Sequence, residues 1–240
     1  MILEGKVAIV TGGTRGIGRA IALALSRQSV KVMICALEEE QVKNAVLEMT
    51  RLSGGNLSGI QCDVRSLPDV TRLVQTTVKH FGGVDILINN AGIARLGNIA
   101  QLSPQDWQEV IDTNLTGVFY CCHEVIPEMK RRGEGDIINI ASRSGINAYE
   151  GGAAYNASKF GLIGLSEAMF LDLQKHHIRV SYVMPGRVGT EFAGEEPKPW
   201  HLAPEDVASV VLTMLTMDPR GAISRVELRP TKFQTESVST

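Results

Sequence analysis

The chain has 240 residues, 44% hydrophobic and 21% charged, with a formal net charge of −2. That balance suits a water-soluble globular protein and gives no electrostatic footing for nucleic acid or an anionic membrane. No run approaches the ~18 apolar residues of a membrane span, and the opening MILEGKVAIVTGG lacks the parts of a secretory signal, so a cytoplasmic protein is expected.

Apolar runs alternate with amphipathic ones along the whole chain. The run at 6–11 (KVAIVT) predicts a strand, and a glycine-rich turn leads from it into a helical pattern at 16–28. Gly12, Gly16 and Gly18 in TGGTRGIG would let the backbone turn sharply and approach a pyrophosphate at the positive end of that helix. The spacing is GxxxGxG, not the GxGxxG of the general dinucleotide fingerprint. A tight strand–helix connection needs the same small residues, but the position on the first strand favours the nucleotide reading.

A second strand is expected at 31–35 and a helix at 38–52, followed by a strand at 58–62 and a helix at 67–81. Asp63 and Val64 close the third strand beside the place of an adenine, where Asp63 could equally be a turn residue. The strand at 84–89 runs into NNAG (89–92); Asn89 either braces the neighbouring loop or touches a ligand, and bracing is favoured. One long helix is expected at 104–131, with Pro104 at its first position. Then come a strand at 135–141, a helix at 156–176, a strand at 178–184, a Pro-rich loop at 194–206, a helix at 204–217 and a strand at 222–228. The alternation predicts an α/β fold of Rossmann type: a seven-stranded parallel sheet, doubly wound, with helices on both faces. It is expected to form one domain over 1–240 with a small flap near 190–204.

Cys35, Cys62, Cys121 and Cys122 form no CxxC pair and the five histidines no HExxH, so no metal site is expected. Tyr155 and Lys159 stand four apart in AAYNASKFG, which puts both on one face of a helix. Alone, such a pair is as consistent with a surface contact as with an acid and the charge that tunes it.

TGGTRGIG at 11–18, NNAG at 89–92, Asn114 in DTNLTG, Ser142 in NIASRSG, YNASK at 155–159 and PGRVGT at 185–190 occur in that order. In this the chain resembles the short-chain dehydrogenase/reductase family, to about residue 217. The resemblance implies a catalytic set of Asn114, Ser142, Tyr155 and Lys159. Tyr155 would be the proton donor, Lys159 would tune it and bind the nicotinamide ribose, and Ser142, not Ser144, would hydrogen-bond the developing oxyanion. Asn114 would hold a water linking Lys159 to solvent; its other reading is a helix-interior amide bonded to backbone. A tyrosine of ordinary pKa near 10 must be brought down by roughly 3 units to act both ways near neutrality, and a nearby ammonium together with the positive oxidised nicotinamide pushes in that direction.

The resemblance also implies a cofactor cradle of Gly12, Thr14, Arg15, Gly16, Ile17, Gly18, Asp63, Val64, Asn89, Ala91 and Gly92, with Pro185, Gly186, Val188 and Thr190 toward the nicotinamide. The family position for an NAD-selecting carboxylate is Ala36, followed by Leu37, and Arg15 could pair with a 2′-phosphate, so NADP(H) is favoured and NAD(H) stays possible. Glu38, Glu39 and Glu40 would rather favour a helix N-terminus than read a ribose. A carbonyl or secondary-alcohol substrate follows, of 3-oxoacyl-thioester type or a small ketone. An oxidative alcohol, hydroxy acid or sugar dehydrogenase is the alternative, and a nicotinamide sensor without turnover a third class. The tail SRVELRPTKFQTESVST departs from the glycine-rich end usual in 3-oxoacyl reductases. Family members pair the helices around Trp107, Phe119 and Tyr155 across subunits, which implies a homodimer or homotetramer.

Overall fold

The computed structural model describes residues 3–192 and 196–232. Seven strands form one sheet: β1 (Val7–Thr11), β2 (Lys31–Ala36), β3 (Leu57–Gln61), β4 (Ile86–Asn89), β5 (Gly135–Ile140), β6 (Ile178–Pro185) and β7 (Arg225–Leu228). They lie in the order β3-β2-β1-β4-β5-β6-β7, every pairing parallel. The Val- and Ile-rich central strands are buried on both faces, as their unbroken apolar runs require. The order reverses between β1 and β4, and a crevice opens beyond their carboxyl ends.

One face is covered by α1 (Gly16–Arg27), α2 (Glu39–Ser53) and α7 (Pro204–Leu215), the other by α3 (Leu67–Phe81), α5 (Gly117–Arg132) and α6 (Ala153–Leu173). Period-2 alternation deals the strand side chains between the layers. Ile86, Ile88, Ile138 and Ile140 join the first, and Leu87 and Ile137 the second. All four cysteines are free and buried, packing as small hydrophobes. Among the described residues no cluster could hold a metal ion, and no helix is long and apolar enough to cross a membrane.

The expected single helix at 104–131 is in fact two. α4 (Pro104–Ile111) and α5 are joined by a π turn at Asp112–Thr116, where one extra residue is taken into the winding. Ser103 caps α4 by accepting from the Asp106 N–H at 3.0 Å. The last strand starts at Arg225, later than its sequence pattern suggested, and α6 starts at Ala153, earlier, so Tyr155 lies in its first turn.

Charges close the sheet at the end opposite the crevice. Asp85, 3% exposed, accepts from the Val7 N–H and from Arg132 Nε, both at 2.7 Å. Lys6 lies 4.0 Å from Asp85 and also bonds Glu134. Removing the Asp85 carboxylate would strand a buried donor and a half-buried guanidinium. Asp85→Ala is therefore expected to lower the unfolding free energy by about 3 kcal/mol, measured by urea denaturation; a loss under about 1 kcal/mol would show that water replaces the carboxylate.

Candidate active site

The turn after β1 is built by close approach. Gly12 has φ +62° and Gly16 φ +54°, a region only glycine enters without strain. A Cβ on Gly18 would lie 2.2 Å from the Gly12 carbonyl oxygen, so the helix can pack here only on a bare α-carbon. Asn90 braces the turn, its amide donating to the Thr11 and Gly12 carbonyls at 3.0 Å. Thr11 Oγ1 accepts from the Asn90 and Ala91 N–H groups, also at 3.0 Å.

α1, by contrast, starts at this turn with no side-chain cap from Arg15 and no acid in its first turn. Its positive end is left for an anion, and the glycine turn lets backbone approach a phosphate closely. Thr190 closes the cradle from the far side, 3.2 Å from where a Gly16 Cβ would stand. These residues fit a pyrophosphate.

Asn89 does not join them. It lies on the Leu87 side of the sheet, where its amide donates to Asn139 Oδ1 at 2.8 Å and to Cys122 Sγ at 3.3 Å. Both the ligand and the loop-bracing roles expected of it are corrected: its side chain ties β4 to β5, and bracing falls to Asn90. Strand parity carried that signal, since Asn89 must follow Leu87 and the glycine turn lies elsewhere.

Asp63 is occupied by Arg65, which grips its carboxylate at 2.7–3.0 Å and draws it below its ordinary pKa. Val64 is buried against Gly117 at the start of α5. Past β2, Ala36 gives way to an exposed Leu37. Glu38 is the N-cap residue of α2 and accepts from Gln41, with Glu39 and Glu40 in the first turn, so these acids serve the helix end. Arg15 extends into solvent, with Glu191 3.5 Å away.

Beyond β5, Ser142 adopts an extended conformation and caps a short 3₁₀ turn, Arg143–Gly145, accepting from the Ser144 N–H at 3.1 Å. Ser142, not Ser144, is the hydroxyl that draws the Tyr155 phenol down. Burial nevertheless pushes Tyr155 up to about 12, against the pull of Ser142. Lys159 is 5% exposed, and burial brings its ammonium down to about 8. Its Nζ donates to the Ile140 carbonyl at 2.9 Å and lies 5.7 Å from the Tyr155 ring centre. The expected lowering joins Lys159 to a positive nicotinamide; without cofactor, burial of the phenol outweighs the pull of Ser142.

Asn114, fully buried in the π turn, has both amide hydrogens engaged: Nδ2 donates to the Ile93 carbonyl at 2.9 Å and to Ser158 Oγ at 3.0 Å. Its Oδ1 accepts from the Ile93 N–H at 2.8 Å, and Ser158 in turn donates to the Tyr155 carbonyl at 2.8 Å. Asn114 thus fastens the loop after β4 to the helix that bears Tyr155, as in the backbone-bonding reading, and the relay water expected of it would be held through an acceptor oxygen.

Pro185, Gly186 and Val188 run along the rim, where Gly186 N–H donates to Leu228 O at 2.7 Å and Val188 bridges to Leu202. Phe192 stands with its ring centre 5.8 Å from that of Tyr155. Thr11, Asn90, Ser158 and Phe192 escape the sequence reading, although the first three stand inside the motifs TGGTRGIG, NNAG and YNASK. The flap expected near 190–204 falls partly on residues 193–195, and much of the C-terminal tail on 233–240, outside the described residues.

Residues 6–199 match the family model described as short chain dehydrogenase. A 3-oxoacyl-(acyl-carrier-protein) reductase of Synechocystis sp. is 35% identical over 229 residues, covering 92% of each chain. That of Staphylococcus aureus is 39% identical over 181 residues, covering 75% of this chain and 74% of the relative. The structure of an alcohol dehydrogenase from the archaeon Thermococcus sibiricus, complexed with 5-hydroxy-NADP, superposes with a TM-score of 0.89 at 27% identity, covering 96% of this chain and 99% of that one. With the glycine cradle and the Ser142–Tyr155–Lys159 cluster on one rim of a seven-stranded parallel sheet, the chain belongs to the short chain dehydrogenase family.

Proposed function

We propose that this oxidoreductase uses NADP(H) to reduce a carbonyl to a secondary alcohol, its substrate a 3-oxoacyl thioester or a small ketone. The observation that carries this reading is the Ser142 hydroxyl acting on the Tyr155 phenol, with a buried Lys159 one helical turn on. The similarity to 3-oxoacyl reductases supports the substrate class. Likeness to an alcohol dehydrogenase favours the oxidative direction as the second reading.

The cradle of Gly12, Thr14, Arg15, Gly16, Ile17 and Gly18 would hold the pyrophosphate, with Ala91 and Gly92 behind it. Asp63 and Val64 would flank the adenine, Pro185, Gly186, Val188 and Thr190 the nicotinamide, and Tyr155 and Lys159 its ribose. When bound, NADPH supplies the hydride. Tyr155, held up by burial, keeps its proton at neutral pH and gives it from Oη to the carbonyl oxygen. Ser142 Oγ donates to the same oxygen as charge develops there. Lys159 brings positive charge beneath the resulting phenolate. Asn114 fixes the helix that bears Tyr155 and would hold, through an acceptor oxygen, the water that links Lys159 to solvent.

The missing carboxylate at Ala36 and the accessible Arg15 support NADP(H). The similar structure that holds 5-hydroxy-NADP adds to that case. The exposed Trp107, Phe119, Phe160 and Leu171 on α4, α5 and α6 support a homodimer or homotetramer, and cytoplasmic residence fits the composition.

Tyr155→Phe is expected to cut turnover by about 10³-fold while NADPH binding, followed by fluorescence titration, is retained; unaltered turnover would remove Tyr155 from the chemistry. Wild type is expected to bind NADPH at least about tenfold tighter than NADH, a gap of about 1.4 kcal/mol. Equal affinities would end the case for Arg15.

Lys159 adds a pH signature. The unfolded chain holds its proton to about 10.5, whereas the folded protein releases it from about 8. The burden on folding is thus full below pH 8 and is relieved as pH rises toward 10.5. Lys159→Met is therefore expected to be inactive yet more stable than wild type at pH 7 by on the order of 2 kcal/mol without cofactor. That margin should shrink by pH 10 in urea titrations. A destabilised variant at pH 7 would show that the Ile140 contact outweighs desolvation.

A further inference from the structure

The turn that carries Ser142 is three residues long, and a turn so short is held by its anchors. One anchor faces α6: a Cβ on Gly145 would stand 2.7 Å from the Lys159 carbonyl oxygen and 2.6 Å from Ile163, so the backbones touch there. The other faces the sheet edge, where Arg143 Nε donates to Glu227 Oε1 at 2.8 Å. Glu227 sits on β7, opposite Met184 of β6. The same end of β7 fixes the rim beside the site: Leu228 O receives the Gly186 N–H, and Pro230 lies 3.1 Å from where a Gly186 Cβ would stand. Arg143 Cδ approaches that same point to 3.7 Å. Arg143 is thus wedged between Gly186 and Glu227, and Arg229, 3.8 Å from Glu227, is the second cation on that carboxylate.

We propose that Glu227 is a positioning residue for the reaction, holding Arg143 so that the adjoining Ser142 hydroxyl is aimed at Tyr155 and at the substrate oxygen. The inference rests on the reading of Ser142 as oxyanion donor. The pair is about one-third exposed on each side, so its contribution to stability is small. Its effect falls on geometry: Ser142 Oγ is already anchored to the Ser144 N–H inside the turn, so any rocking of the turn moves the hydroxyl with it. Aim matters more than strength, because a donor displaced from the oxyanion position loses most of its effect.

The test uses the full chain, with a 3-oxoacyl thioester and NADPH as probes. Glu227→Gln, which keeps shape and removes charge, is expected to lower kcat about tenfold, with KM for NADPH within about twofold and Tm within a few degrees of wild type. The exchanged pair R143E/E227R should recover most of the kcat. In a Ser142→Ala background, Glu227→Gln should cost nothing further, since there is no hydroxyl left to aim. A Glu227→Gln variant with wild-type kcat, while Ser142→Ala is impaired, overturns the proposal and leaves the site reading intact. A Ser142→Ala enzyme with undiminished kcat overturns the site reading itself. Losses that add fully in the double variant would assign Glu227 an effect independent of Ser142 and likewise overturn the proposal.

Discussion

Lys159 carries an ammonium into a place that water does not reach, and within the described residues its one hydrogen-bond acceptor is the Ile140 carbonyl. Such a group is costly for the fold and useful to a reaction, and the elements around it are arranged to tolerate the first for the sake of the second. β5 stops at Ile140, which leaves that carbonyl at the strand end within reach of α6. Tyr155 precedes Lys159 by one turn, so the phenol and the ammonium share a face, the ammonium buried and the tyrosine partly so. Each is displaced from its ordinary pKa in the direction that leaves it uncharged. The pair is therefore poised, and positive charge arriving beside it would shift both.

A helix bearing such a burden needs fixing, and two chains of hydrogen bonds supply it. The first runs from Asn89 through Asn139 to Ser166, whose hydroxyl donates to the Leu162 carbonyl at 2.6 Å. The second runs from the Ile93 backbone through Asn114 and Ser158 to the Tyr155 carbonyl. Both end on backbone carbonyls of α6, one near its middle and one in its first turn. Buried polar groups joined in this way specify one register of helix on sheet, because any slip would leave them unpaired in a low-dielectric interior. Asn89 Oδ1 is the one member left without a partner.

The strand–helix order could be read from residues 6–89 almost without loss, because continuous Val and Ile runs bounded by glycine have few other solutions. The Ser142, Tyr155 and Lys159 positions were legible too, through spacing and resemblance. What escaped was whatever depends on environment. The composition of DTNLTG gives no hint of a π turn, since its residues would suit an ordinary helix equally well. That Asn90, not Asn89, braces the glycine turn follows from strand parity, a signal present in the sequence but overridden by the motif. The direction of the Tyr155 shift required knowing how deeply the ring is buried, which no spacing of residues states.

The extra residue in the π turn between α4 and α5 makes the length of that segment a matter of counting. Each residue in an α-helix advances the winding by about 100°, so removing one between Ile111 and Gly117 would restore regular winding and turn α4 by that angle about its axis. Asp106 and Glu109 would leave Arg95, Val110 would leave the interior, and Asn114 would no longer face Ile93. The residue number of this stretch cannot drift by one. A chain that had lost the residue would not be a slightly altered version of this protein: the first half of the helical pair would show its neighbours a different face, turned by about 100°.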